Sequence, residues 1–245
     1  GLTVTEYTTA NDTADDYMVA VQEAAKDGAS VVIGYGEEFE EPLFTMQKKY
    51  KKIKFLILDG APRKEAGKKA KVRKNTRAVV YDEVQSGFLA GYAAVMDGYR
   101  SLGFLGGQKQ KNVMYYGSGF VQGAEYAASQ LKLKENEVTV RYDYLETNEI
   151  SPSVMARAGQ WYEDGCELIF AAGGAIPTAV IKAAEATGGK VIASDVAQTS
   201  KQQAVVTTAE KNVTDVVYNA IGGAYGDSFD GGKEEIMDLS NEGVG

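Results

Sequence analysis

The sequence contains no histidine and a single cysteine, Cys166, among its 245 residues. Without imidazole the chain lacks the commonest general base and the commonest metal ligand, so histidine-dependent hydrolysis is excluded. A lone cysteine forms no internal disulfide, and here it would have no histidine to take its proton if it served as a nucleophile. Its place just ahead of an apolar run reads instead as a small buried thiol. No apolar run approaches the roughly 18 residues that a membrane-crossing helix requires. Positive charge is also short: 26 lysines and arginines stand against 34 acidic residues, a net charge of −8. The basic residues form no stripe interleaved with aromatics, which argues against a nucleic-acid partner. Their densest group, from Lys64 to Lys74, holds five lysines and one arginine and reads as a solvated loop. No phosphate-cradling GxxxxGK[ST] motif is present, nor any cluster with metal-ligand spacing. Neither a cofactor nor a metal is therefore expected.

What is present is alternation of strand and helix. The stretch from Glu167 to Asp195, ELIFAAGGAIPTAVIKAAEATGGKVIASD, is the organising unit. Leu168 to Ala172 is a short apolar run closed by Gly173-Gly174, the pattern of a buried parallel strand ending in a tight turn. Pro177 suits a first helical turn, and Ala179, Val180, Ala183, Ala184 and Ala186 recur at helical spacing until Gly188-Gly189. Lys190 to Ser194 comes next as a strand with Asp195 at its carboxyl end. Ligands of open α/β sheets bind outside the carboxyl ends of the strands, so Gly173, Gly174 and Asp195 are expected on one rim. The alternative is structural: the glycines turn the chain and Asp195 caps the next segment.

The same pattern runs elsewhere. Gly1 to Thr8 alternates like a half-exposed strand, Asp12 to Lys26 reads as a helix, and Val31 to Tyr35 as a strand. Pro42 to Tyr50 is a short helix, and Lys54 to Leu58 is a strand delivering Asp59 to its end as Asp195 is delivered. Arg77 to Tyr81 is a strand, and Asp82 to Tyr99 is a helix whose small residues suit close packing on a sheet. Ser101 to Leu105 and Val138 to Tyr144 read as strands, Met114 to Leu131 as loop and helix, and Ser151 to Asp164 as a helix with Trp161 inward. Ala204 to Thr207 is a further strand, Asn212 to Tyr225 a helix, and the glycine-rich tail an edge structure or a connection between lobes. Short connections of this kind give an α/β class with parallel sheets. The recurrence of strand, Gly/Asp and helix in both halves predicts two similar lobes. One comprises residues 1–100 with about 208–228, the other 101–207 with about 229–245, and chain crossings are expected near Tyr99–Ser101, near Thr207–Asn212 and in the tail.

In order, YDEVQSGFLAGYAAV, GFLGGQ, GSGFVQGAEYA, ELIFAAGG, VIASDVAQ and TTAEK resemble segments of the basic membrane protein (BMP)/PnrA-like family. These are extracytoplasmic, usually lipid-anchored solute-binding proteins of ABC importers, and the resemblance runs from Val31 to about Gly245. It implies the type I periplasmic-binding-protein fold, two Rossmann-like lobes with a nucleoside, purine most of all, held between them. It implies as partners a small-molecule ligand, a permease and its ATPase, with membrane attachment only through a lipid anchor outside these residues. Carried over residue by residue, Asp59 and Asp195 would accept hydrogen bonds from ribose hydroxyls, Lys211 matches the family's lysine, and Phe170, Gly173 and Gly174 match its strand–aromatic–glycine segment. The chain departs from the pattern at Ala197, which precedes Gln198 where the family has aspartate, and at Ala175, Ile176 and Pro177, where the family is richer in glycine. Members also begin with a further strand, loop and helix carrying a base-stacking aromatic and an asparagine, so the chain is expected to be a fragment, or to have preceding residues. Two other classes stay open: an α/β enzyme using Asp59 or Asp195 as acid or base on a polyol, and a ligand-sensing module sharing the fold.

Overall fold

The computed structural model describes residues 1–9, 11, 13–195, 203–226 and 228–245. They fall into two units, Gly1–Tyr81 with Val213–Met237, and Asp82–Asn212 with Asp238–Gly245. The chain therefore passes between units after Tyr81, after Asn212 and after Met237.

In the first unit a parallel sheet of four strands runs in the order β1 (Val31–Tyr35), β2 (Lys54–Leu58), β3 (Thr76–Tyr81) and β9 (Glu234–Met237). Alternation along β2 divides its side chains. Phe55 and Ile57 join Val21 of α1 (Ala14–Lys26) and Leu43 and Met46 of α2 (Glu40–Lys49) in one core. Leu56 and Leu58 point the other way, where α7 (Val213–Tyr225) packs on β2. Thr13 caps α1 by accepting from the Asp16 amide, which satisfies one of the four unpaired donors of a helix start. The lysine-rich segment is a loop, held by the fully buried Gln47: its Nε2 donates to the Lys71 carbonyl at 2.8 Å and its Oε1 accepts from the Arg73 amide at 2.9 Å.

The second unit has five parallel strands in the order β5 (Thr139–Tyr144), β4 (Ser101–Gly106), β6 (Leu168–Ala172), β7 (Lys190–Asp195) and β8 (Val205–Glu210). Period-two alternation separates two cores. Leu102, Phe104, Leu168, Phe170 and Ile192 pack under α3 (Glu83–Met96) and α4 (Lys111–Gln130). Leu105, Ile169, Ala171 and Val191 face α5 (Pro152–Glu163) and α6 (Ile176–Thr187). Trp161 lies in the second of these cores. Because β4 continues to β5 on one side and to β6 on the other, the strand order reverses between β4 and β6, which is where doubly wound sheets open a crevice at their carboxyl ends.

Three expectations are corrected. Residues 1–9 form no strand: Leu2 is 59% and Val4 89% exposed, and alternation alone does not supply a partner to pair with. Asp82 to Tyr99 groups with the second unit, because α3 packs along α4 through Gly87, Gly91, Gly119 and Gly123 rather than on the first sheet; the first crossing is at Tyr81–Asp82, not near Tyr99–Ser101. The tail divides as well, since residues up to Met237 lie in the first unit, where β9 pairs with β3.

Cys166 is buried, and burial pushes its thiol up to about 11. At pH 8 the native thiol is then almost wholly protonated and inert, since the thiolate is the reacting form. A chromogenic disulfide reagent is expected to modify the native protein at least about a hundredfold more slowly than the urea-unfolded chain at that pH, given an unperturbed value of about 8.5. Comparable rates in the two states would show Cys166 to be exposed.

Candidate functional site

Asp195 and Asp59 share a local geometry that neither sequence nor family predicted. Both stand at the carboxyl end of a strand, and both take left-handed backbone, with φ of 71° at Asp195 and 57° at Asp59. Such conformations are uncommon outside glycine, though aspartate tolerates them better than most. They turn the chain abruptly off the carboxyl end of the sheet. The two differ in access: Asp59 is 8% exposed, whereas the Asp195 side chain is 26% exposed.

Around Asp195 the second unit builds a polar cluster. Lys211 comes just after β8, the neighbour of β7, and its amide donates to the Asp195 carbonyl at 2.8 Å. Its ammonium lies 3.2 Å from Asp195 Oδ1 and 3.0 Å from Glu83 Oε1, with the Lys211 side chain wholly buried and that of Glu83 5% exposed. Ser194 Oγ donates to Asp195 Oδ2 at 2.6 Å, and the Tyr116 hydroxyl lies 3.4 Å from Oδ1. Lys211 also sits 5.3 Å from the centre of the Tyr116 ring, a cation–π distance. A buried ammonium is costly unless paired, and two carboxylates bracket this one. Among the described residues one ammonium stands against two carboxylates, a net negative charge, and the carboxylate with exposed surface is Asp195.

The remaining candidates fall elsewhere. Phe170 is 0% exposed, its ring 5.5 Å from Phe104, 5.6 Å from Tyr116 and 5.2 Å from Phe120; it is core behind Tyr116, a correction to its reading as a ligand contact. Lys211, likewise read as a contact, has no exposed side-chain surface and reaches the rim through Asp195. Gly173 and Gly174 do lie on the rim at the point of strand reversal, with φ of 100° and 50°. A Cβ on Gly174 would come within 2.7 Å of the Asn148 carbonyl oxygen. That close approach brings together the loops after β4, β5 and β6: Asn148 Oδ1 accepts from the Gln108 amide at 3.1 Å and its carbonyl accepts from the Ala175 amide at 2.8 Å. Gln108, Asn148, Glu83, Ser194 and Tyr116 were not singled out from sequence, although Gln108 closes the GFLGGQ segment, Glu83 lies in YDEVQSGFLAGYAAV and Ser194 in VIASDVAQ. Ala197 and Gln198 lie outside the described residues. A pocket of about 420 Å³ lined by Val121, Ala124, Leu133, Val138 and Val140 sits at the amino end of β5, away from these carboxylates. Among the described residues no group of acidic or cysteine side chains could hold a metal ion.

Residues 2–245 match the family described as ABC transporter substrate-binding protein PnrA-like. The chain belongs to that family. Among its PnrA-like relatives, basic membrane protein D of Borreliella burgdorferi (strain JD1) is 25% identical over 239 residues, 95% of this chain and 66% of that protein. The ABC transporter nucleoside-binding protein BmpA of Lactococcus lactis subsp. cremoris is 24% identical over 177 residues, 72% of this chain and 46% of that protein. The PnrA-like chain thus spans about two thirds or less of the length of these relatives. A solved ABC transporter solute-binding protein from Aeropyrum pernix K1 shares its fold with a TM-score of 0.80 over 96% of this chain and 65% of that one, at 18% identity. A transcriptional activator of the comK gene from Bacillus halodurans does so with a TM-score of 0.73 at 16% identity, covering 95% and 76%. The α/β fold with its parallel sheets is therefore shared by transport and regulatory proteins, and function has to be argued from the site.

Proposed function

We propose that this PnrA-like chain is part of an extracytoplasmic solute-binding protein that takes up a nucleoside, a purine nucleoside foremost, and delivers it to an ABC permease and its ATPase. A lipid anchor outside the described residues would hold it at the membrane. The observation that carries the reading is Asp195: a partly exposed carboxylate pinned at the carboxyl rim of its sheet, with net negative charge behind it. Such a group accepts hydrogen bonds from a vicinal diol and repels phosphate, so it suits ribose hydroxyls on an uncharged ligand and disfavours nucleotides. The name of the Lactococcus relative supports the same choice. Binding alone is assigned: the chain has no histidine to act as general base, and Lys211, Ser194 and Tyr116 are engaged in holding the Asp195 carboxylate.

A thermal-shift screen of adenosine, inosine, guanosine, cytidine, free adenine, ribose and AMP tests this. At a hundredfold excess over Kd a ligand that binds only the native state stabilises by about 2.7 kcal/mol, or about 5–10 °C for a chain of this size. A purine nucleoside is expected to give that rise and AMP none. No rise with any nucleoside would overturn the reading, and chemical turnover of a stabilising ligand would make the protein an enzyme.

A further inference from the structure

We propose that Glu83 is a positioning residue for the ligand, acting through Lys211 to fix the Asp195 carboxylate; this rests on the nucleoside reading above. Glu83 is the first residue of α3, some hundred positions from β7 in sequence, and nothing in the family resemblance assigned it a role. Its carboxylate is nearly buried, 3.0 Å from an ammonium that has no exposed surface. The opposite side of that ammonium meets Asp195 at 3.2 Å. Lys211 is thus a buried strut with a carboxylate at each end, one hidden and one at the rim. The strut is held at its base too, because the Lys211 amide donates to the Asp195 carbonyl and Lys211 bridges Val244 in antiparallel fashion.

The need for such a strut arises from the backbone. Asp195 leaves its strand with a φ of 71°, at the last register pair of β7 and β8, Asp195 with Glu210. Its side chain is therefore not fixed by sheet packing, and its orientation comes from Lys211, Ser194 and Tyr116. Of these, Lys211 is the one carrying a full charge, so its own placement governs where the carboxylate points. Glu83 supplies that placement: without its charge the ammonium swings toward Asp195, competing with ligand hydroxyls for the same oxygens. An acceptor set out of place by a fraction of an ångström loses hydrogen-bond energy without losing the fold.

A double-mutant cycle separates this role from a structural one. Glu83→Gln keeps the shape and removes the charge. Titration calorimetry with the nucleoside that stabilises the parent most is expected to show affinity reduced about tenfold in Glu83→Gln. In an Asp195→Asn background the same change should cost less than about twofold, because the carboxylate through which it acts is gone. If Glu83→Gln folds too poorly to titrate, the pair Glu83→Met/Lys211→Met replaces the buried ions with apolar side chains, a change often neutral or favourable to stability. That variant should melt near the parent yet bind at least tenfold more weakly. Parental affinity in Glu83→Gln, an equal loss in both backgrounds, or parental affinity in the methionine pair would each overturn the role of Glu83. Failure of the parent itself to bind any nucleoside would instead overturn the proposed function, and this inference with it.

Discussion

Asp195→Asn should bind its nucleoside about tenfold to a hundredfold more weakly than the parent while melting within a few degrees of it. The substitution is chosen for the backbone: asparagine tolerates the φ of 71° at this position nearly as well as aspartate, whereas alanine would add strain unrelated to binding. It also leaves Lys211 paired with Glu83, so the buried ammonium keeps a carboxylate. What disappears is the charge on the exposed acceptor, and hydrogen bonds to charged groups contribute about 1.5–3 kcal/mol, which corresponds to that range of affinity. The effect should be confined to ligands bearing the ribose hydroxyls, with dideoxynucleosides bound equally poorly by parent and variant. Calorimetric titration alongside melting curves reads both quantities. A variant that binds like the parent but melts earlier would make Asp195 a structural turn residue, the alternative that the sequence left open. The same measurement on Asp59→Asn tests the first unit's rim separately.

The largest effect on folding is expected at the α3–α4 contact. Gly123→Val should destabilise the protein by about 4 kcal/mol or more, or leave it insoluble, since an added side chain has nowhere to go. A Cβ on Gly123 would collide with the Phe88 carbonyl oxygen and come within 2.9 Å of the Tyr92 amide nitrogen. One on Gly91 would meet the Phe120 carbonyl oxygen and lie 2.9 Å from the Ala124 amide nitrogen. These neighbours are backbone, which cannot change rotamer, so the two helices would have to separate along their length and withdraw Ala90, Ala94, Phe120 and Ala124 from the core they share. The ordinary gain from replacing a helical glycine, about 1 kcal/mol, is too small to compensate. Denaturant unfolding of Gly123→Val beside Gly159→Ala, where a Cβ meets nothing within 4 Å, gives the contrast. Equal midpoints would show that the helices are not in backbone contact.

Most strands of both sheets were legible because buried parallel strands are written as short apolar runs, and the runs found after residue 30 lie within one residue of the observed elements except Ala204 to Thr207, which the structure extends to Glu210. The two rim aspartates were legible for the same reason, since an acidic residue directly after such a run has few places to go but the sheet's end. Their left-handed backbone was not, because aspartate there needs no glycine to announce it. The fourth strand of the first unit was read only as edge structure or a connection somewhere in the tail: Glu234–Met237 is short and half charged, and its partner β3 lies far back in the sequence. The small residues of α3 were read as packing on a sheet, and half of that is right: Ala90 and Ala94 face the strands while the glycines face α4. Glu83 lies inside the YDEVQSGFLAGYAAV segment but gave no signal of its own. A glutamate at a helix start is the ordinary complement to the helix dipole, and only the three-dimensional return of β8 shows that a lysine waits above it.

The order in which the chain is made has a consequence for the first sheet. β9 closes the edge of β3, but it comes after every strand of the second unit. A ribosome adding about 5–20 residues per second spends about 8–30 seconds between finishing Tyr81 and reaching Glu234. Throughout that interval the amides and carbonyls of Ala78 to Tyr81 have no strand on that side, an open edge of the kind that pairs with other nascent chains. The second unit, drawn mostly from one continuous segment, is free to form meanwhile. A holding chaperone that keeps this edge covered until Glu234 is available should therefore raise the yield of folded protein.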